Sequence, residues 1–110
     1  MRAYLIDEIP SSEMKNVGKF LRENAVQSRL EQVFWIKIPD EILTSTQRVH
    51  RDCQPHVFAV ELGSDWIKME FFVRALKTLR CECQGYGTKA QRDYIISFAD
   101  FFIESLGLPT

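Results

Sequence analysis

The stretch HVFAVELGSDWIKMEFFVRAL, residues 56–76, decides how this chain is read. His56 to Leu62 is apolar and alternates enough for a strand. Gly63-Ser64-Asp65 supplies the small, turn-forming residues of a three-residue hairpin loop. Trp66 to Leu76 then carries Trp66, Ile67, Phe71, Phe72 and Val73, and its aromatic and β-branched content favours a second arm. As a strand it places Ile67, Met69, Phe71, Val73 and Ala75 on one face. The same residues also fit a helical stripe through Met69, Phe72, Val73, Leu76 and Leu79, which period alone does not separate. The residue types favour the strand.

Working outward, Arg2 to Ile9 suits a first strand, and Pro10-Ser11-Ser12 stops it and offers a helix N-cap. Met14, Val17, Gly18, Leu21 and Ala25 follow at helical spacing, so residues 12–25 form an amphipathic helix. Val33 to Ile38 is nearly continuous in apolar residues, which predicts a strand buried on both faces. Strand, helix and strand in that order predict a parallel pair with a right-handed crossover. Pro39-Asp40 opens a short helix with Ile42, Thr46, Val49 and Cys53 on one face, ended by Pro55. Residues 84–88 read as a loop. The last helix runs from Lys89 to Leu106, with Tyr94, Ile95, Phe98, Phe102, Ile103 and Leu106 in one stripe and Gly107 and Pro109 ending it. The expected architecture is a single α+β domain over residues 1–110. Its mixed sheet has about four strands, in the order β-α-β-α-β-β-α, with helices packed on it.

At 110 residues, folding buries roughly two-thirds of the chain's surface, enough for one core. Fourteen basic and fifteen acidic residues exclude a polyelectrolyte and a protein that holds nucleic acid by bulk charge. The balance conceals an arrangement. Lys68, Arg74, Lys77, Arg80, Lys89 and Arg92 lie in one stretch with only Glu70 and Glu82 against them, and the segment after it is acidic. Asp7 and Glu8 interrupt any leader-like apolar region, and no apolar run approaches ~20 residues. The expectation is a cytoplasmic protein without a membrane partner, its cysteines free or on a metal.

Every cysteine and histidine falls between positions 50 and 83: His50-x2-Cys53-x2-His56, then Cys81-x-Cys83. Zinc takes imidazole nitrogen and thiolate sulfur in a tetrahedron, so four of these five side chains suffice for one ion. His50 and Cys53 share a face if helical, Cys81 and Cys83 if extended. The spacing reproduces no zinc-finger pattern. Packing accounts for the same residues, since cysteine behaves as a small buried hydrophobe. A reactive pair at Cys81 and Cys83 is a further reading, with Arg80 and Lys77 favouring the thiolate and Glu82 opposing it. A catalytic Cys–His dyad has no supporting sequence context.

A second candidate is Gln84-Gly85-Tyr86-Gly87-Thr88-Lys89 at the start of the last helix. Thr88 and Gln91 match the capping-box pattern. Gly85 and Gly87 admit close approach of a ligand to backbone amides, and Lys89 and Arg92 add positive charge where a helix already attracts anions. The loop lacks the third glycine of a dinucleotide fingerprint and the ending of a P-loop. His50-Arg51-Asp52 matches a kinase tripeptide without any other kinase element. Glu61, Asp65, Lys68 and Glu70 read as a solvated strand face. The basic stretch with Phe72 and Tyr86 suggests single-stranded nucleic acid, but the acidic balance and missing recognition motif argue against it. Trp35 and Trp66 belong to the core or to an interface.

Three functions follow. The first is a small cytosolic binding or accessory protein, rather than an enzyme, with a metal or thiol site at His50, Cys53, His56, Cys81 and Cys83 and zinc as its ion. The second is an anion- or nucleotide-responsive module using Gly85, Gly87, Thr88, Lys89 and Arg92. The third is a structural homo-oligomer whose hairpin pairs with another chain.

Overall fold

The computed structural model describes residues 2–78 and 80–108. In chain order it has β1 (Ala3–Ile6), α1 (Ser11–Asn24), β2 (Val26–Gln27), β3 (Val33–Lys37), a 3-10 turn at Asp40–Ile42 and α2 (Ser45–Val49). A second 3-10 turn (Arg51–Cys53), β4 (His56–Leu62), β5 (Ile67–Glu70), β6 (Phe72–Ala75), β7 (Gly85–Tyr86) and α3 (Lys89–Leu106) complete it. The readings placed on Leu79 and Pro109 lie outside the described residues. The α+β class holds, but the sheet has seven strands among the described residues instead of about four.

Residues 66–76 are extended, as their composition predicts, and they divide into two strands. Val60 pairs with Met69, whereas Val57 pairs with Arg74, so the register slips by two residues between the β4–β5 and β4–β6 ladders. The slip centres on Phe71, whose N–H donates to the Arg2 carbonyl and whose carbonyl accepts from the Gly87 N–H at 2.7 Å. An even slip keeps side-chain alternation, so Met69, Val73 and Ala75 all stay buried. The other additional strands, β2 and β7, are two-residue ladders, too short to carry a period.

The sheet runs β1-β5-β4-β3-β2, with β6 beside β4 and β7 beside β6, and every pairing is antiparallel. The expected parallel crossover between the first two long strands is therefore incorrect. The β4–β5 arms stand between β1 and β3, and α1 leads into β2 instead. Nor is β3 buried on both faces. Phe34 and Ile36 are buried while Val33 and Trp35 are half-buried, the one-sided pattern of an antiparallel sheet with helices on one face. Those helices contribute Val17 and Leu21 from α1, and Ile95, Ala99 and Phe102 from α3, to one core with Phe34, Phe58, Val60, Ile67 and Met69. Phe20 meets Phe102 edge-on at 5.0 Å and Phe58 meets Phe98 at 5.8 Å, geometries that favour aromatic pairs. On the opposite face Lys68 and Glu61, directly opposed across β4 and β5, form a 3.0 Å ion pair.

Element ends follow local chemistry. Pro10, not a serine side chain, is the N-cap of α1, and Ser11 and Ser12 lie inside it. The hairpin loop includes Trp66, since Gly63 N–H donates to the Trp66 carbonyl at 2.8 Å. A Cβ on Gly63 would fall 1.9 Å from the Trp66 ring, so only glycine fits there. The single helix expected after Pro39 is broken into three short pieces. Thr44 starts a new N-cap, and His50, at φ −86° and ψ 63°, leaves helical conformation. Val49 consequently points outward at 74% exposure while Cys53 is buried. Helix α3 matches its expected bounds, from the Thr88–Gln91 capping box to Gly107 in the left-handed region at φ 63°. Among the described residues no helix is long and apolar enough to cross a membrane.

Candidate metal centre

The break after α2 builds the first half of the site. His50 caps the end of α2 and begins the next 3-10 turn, where the Cys53 N–H donates to the His50 carbonyl at 3.0 Å. That turn sets both side chains on one side. The second half is the Cys81-Glu82-Cys83 turn, closed by the Gln84 N–H on the Cys81 carbonyl at 3.2 Å.

Buried amides join the halves. Gln47 Nε2 donates to the Cys83 carbonyl at 3.1 Å, and Gln91 Nε2 donates to Gln47 Oε1 at 2.9 Å. The Ala75 N–H donates to Gln84 Oε1 at 2.8 Å. Cys53, Ala75 and Cys83 then pack together, with Cys81 against them, as a small cluster separate from the main core.

His50, Cys53, Cys81 and Cys83 each offer one donor atom, and the four atoms all lie within 4.8 Å of one another. A zinc tetrahedron with bonds of ~2.3 Å has edges of roughly 3.8 Å. His50 Nδ1 lies 3.9 Å from Cys53 Sγ and 3.0 Å from Cys81 Sγ; the nitrogen–sulfur edge is shorter, about 3.5 Å, so a bound ion would spread the second pair by about half an ångström. The three cysteines are free thiols. The N–H and thiol of Cys83, with bonds from Cys53 and His50, bring the Cys81 thiol down to about 7 against some desolvation. Burial first, then Cys81 and Cys53, push the Cys83 thiol up to about 12. Without metal, one thiolate is favoured at the exposed side of the cluster and refused at its buried side.

His56 is outside this group of four but touches it. It is 1% exposed, and Nε2 lies 3.3 Å from Cys83 Sγ. Its Nδ1 is buried without a hydrogen-bond partner among the described residues. Burial, with the charge of His50 behind it, holds the imidazole below its ordinary value and hence neutral. Such an imidazole is suited to donate Nε2–H to a coordinated thiolate, the kind of support that orients metal ligands.

The loop before α3 also assembles locally, but its polar groups are occupied within the fold. Gly85 pairs with Val73 in β7, and Gly87 N–H is on Phe71. Thr88 and Gln91 satisfy each other's backbone, Lys89 bonds Asp93 at 2.8 Å, and Arg92 donates to the Gly87 carbonyl at 2.8 Å. An anion there would compete with those partners. Phe72 and Tyr86, edge to face at 5.3 Å, carry Arg74 and Arg2 over their rings.

Sequence reasoning missed Gln47 and Gln91 as supports of the site. A signal was present, since Thr44-x-x-Gln47 repeats the Thr88-x-x-Gln91 capping pattern. Comparison with protein-family models, curated proteins and solved structures finds no match.

Proposed function

We propose that this protein is a small zinc-stapled accessory module of a reducing compartment, with His50, Cys53, Cys81 and Cys83 holding one structural ion. The observation that carries the reading is the convergence of four donors from two chain segments 28 residues apart in sequence, from Cys53 to Cys81, within 4.8 Å. Three sulfurs and one imidazole are soft enough to select zinc over magnesium or calcium. Four protein ligands complete a tetrahedron and leave no position for an activated water, so the role is stapling, not hydrolysis. The ion would tie the turn entering β4 to the connection between β6 and β7, where the packed cluster is small. His56 and Gln47 would hold Cys83 for it.

The test is elemental analysis of untagged protein purified under reducing conditions. One zinc per chain is expected, with a lowered melting temperature in chelator and loss of the metal in His50→Ala and Cys83→Ser. A metal-free protein whose stability ignores both zinc and chelator would overturn the reading.

A further inference from the structure

The three thiols differ in exposure. Cys53 is 7% and Cys83 4% exposed, while Cys81 is only half-buried. A shallow surface hollow lined by Val49, His50, Arg51, Asp52 and Cys53 opens beside the ligands. Cys81 is thus the least buried of the three, with the other two sulfurs within 4.8 Å of its own. An accessible sulfur beside a resolving thiol is the arrangement that reversible oxidation requires. A tetrahedral site that loses two thiolates to a disulfide cannot keep its ion.

We infer that the centre is a peroxide-responsive zinc site, in which Cys81 and Cys53 are oxidised to a disulfide and the ion is expelled. This rests on the zinc reading above. The step balances as follows. The Cys81 sulfur attacks a peroxide oxygen, the O–O bond breaks, and a sulfenic acid and hydroxide form. The Cys53 thiolate then attacks the Cys81 sulfur, forming the S–S bond and releasing a second hydroxide. Two electrons leave the two sulfurs, two protons from solvent convert the hydroxides to water, and zinc departs as a divalent cation.

Cys53 is the resolving partner for two reasons. A Cys81–Cys83 bond would span a single intervening residue, and disulfide geometry tolerates that poorly. Cys83 is also held from both sides, by His56 at its sulfur and Gln47 at its carbonyl. The Cys53–Cys81 bond joins the same two segments that zinc joins, so the fold survives while the metal and its charge are lost. The accessory module would then report the redox state of its compartment through occupancy of one site.

The full-length, zinc-loaded protein is treated with hydrogen peroxide, with a zinc-chelating dye reading free metal. It is then alkylated and mapped by mass spectrometry. One zinc released per chain is expected, with a Cys53–Cys81 disulfide, alkylated Cys83 and recovery of zinc binding after thiol reduction. Cys83→Ser keeps that disulfide and Cys53→Ser loses it, whether or not either variant retains zinc. Zinc that stays bound through the oxidation overturns the inference while sparing the metal centre. A Cys81–Cys83 bond, a bond between chains or irreversible oxidation of Cys81 does the same. Absence of zinc before any oxidant is added overturns both.

Discussion

Gln91 Nε2 donates to Gln47 Oε1 at 2.9 Å, joining the first turn of α3 to the first turn of α2 through two side chains that are 1% and 4% exposed. Each glutamine also closes its own capping box, Gln47 with Thr44 and Gln91 with Thr88. Gln91 reaches the Ile42 carbonyl and Gln47 the Cys83 carbonyl. The start of α3 is thereby coupled to the turn that presents two of the cysteines.

Gln91→Leu keeps the volume and removes the network. Gln47 Oε1 loses a buried partner, and the Ile42 carbonyl and the Thr88 N–H lose part-buried ones. The expected loss is about 3 kcal/mol, read from the midpoint of urea unfolding. A change within a few tenths of a kcal/mol would show that the network contributes nothing net.

Gln47→Leu strikes the same network and also frees the Cys83 carbonyl. Zinc affinity is expected to fall about tenfold or more, the usual effect of losing a group that orients a metal ligand. Competition with a chelator of known affinity measures it, and unchanged affinity would separate the glutamine pair from the centre.

His56→Leu distinguishes metal support from packing. The leucine removes a buried nitrogen, Nδ1, that has no partner among the described residues, so metal-free stability should hold or rise, whereas zinc affinity should fall about tenfold. Cobalt substitution provides the spectroscopic control, because losing the Nε2 contact at Cys83 should shift the thiolate-to-metal band. Equal loss of stability in the metal-free and metal-bound forms would make His56 a packing residue only.

Zinc should stabilise by mass action. At free zinc a thousandfold above its dissociation constant the gain is about 4 kcal/mol. For a domain of this size that raises Tm by roughly 15 °C or more. Calorimetry across a zinc titration tests this, and a flat Tm contradicts a structural ion.

Tyr94 gives a stability limit at high pH. Its hydroxyl is pushed above its ordinary value of 10.0 by desolvation. Below 10 it is protonated in both folded and unfolded chains, and its contribution is fully present. Above 10 the unfolded chain ionises first, so stability falls as pH rises toward the folded value. Tyr94→Phe should flatten that fall in a series of urea titrations between neutral and alkaline pH. An unchanged slope would assign it to other groups.

Long elements with one dominant signal were legible in sequence. Helix α3 carried a stripe, a capping box and a terminal glycine, and all three agree with the structure because each acts within a few residues. Strand β4 and the extended state of residues 67–75 were legible for the same reason. Co-location of histidines and cysteines in one span was legible too, and it picked out all four residues that converge. Which four of five converge was not, because that depends on His50 ending α2 and on the turn that lifts Cys81 and Cys83 together.

The amino-acid sequence by itself determined the α+β class, the burial faces of α1 and α3, and the donor types available to a metal. Tertiary structure alone decided the pairing. β1 joins β5 and not β3, since backbone hydrogen bonds between strands depend on partners distant in the chain and leave no period in either partner. It also decided the two-residue slip at Phe71, fixed by Arg2 and Gly87 from elsewhere in the chain. The place of His56 outside the group of four converging donors follows likewise. β4 carries its ring behind Cys83, 3.3 Å from the sulfur, where it can brace the ligand but not join the four.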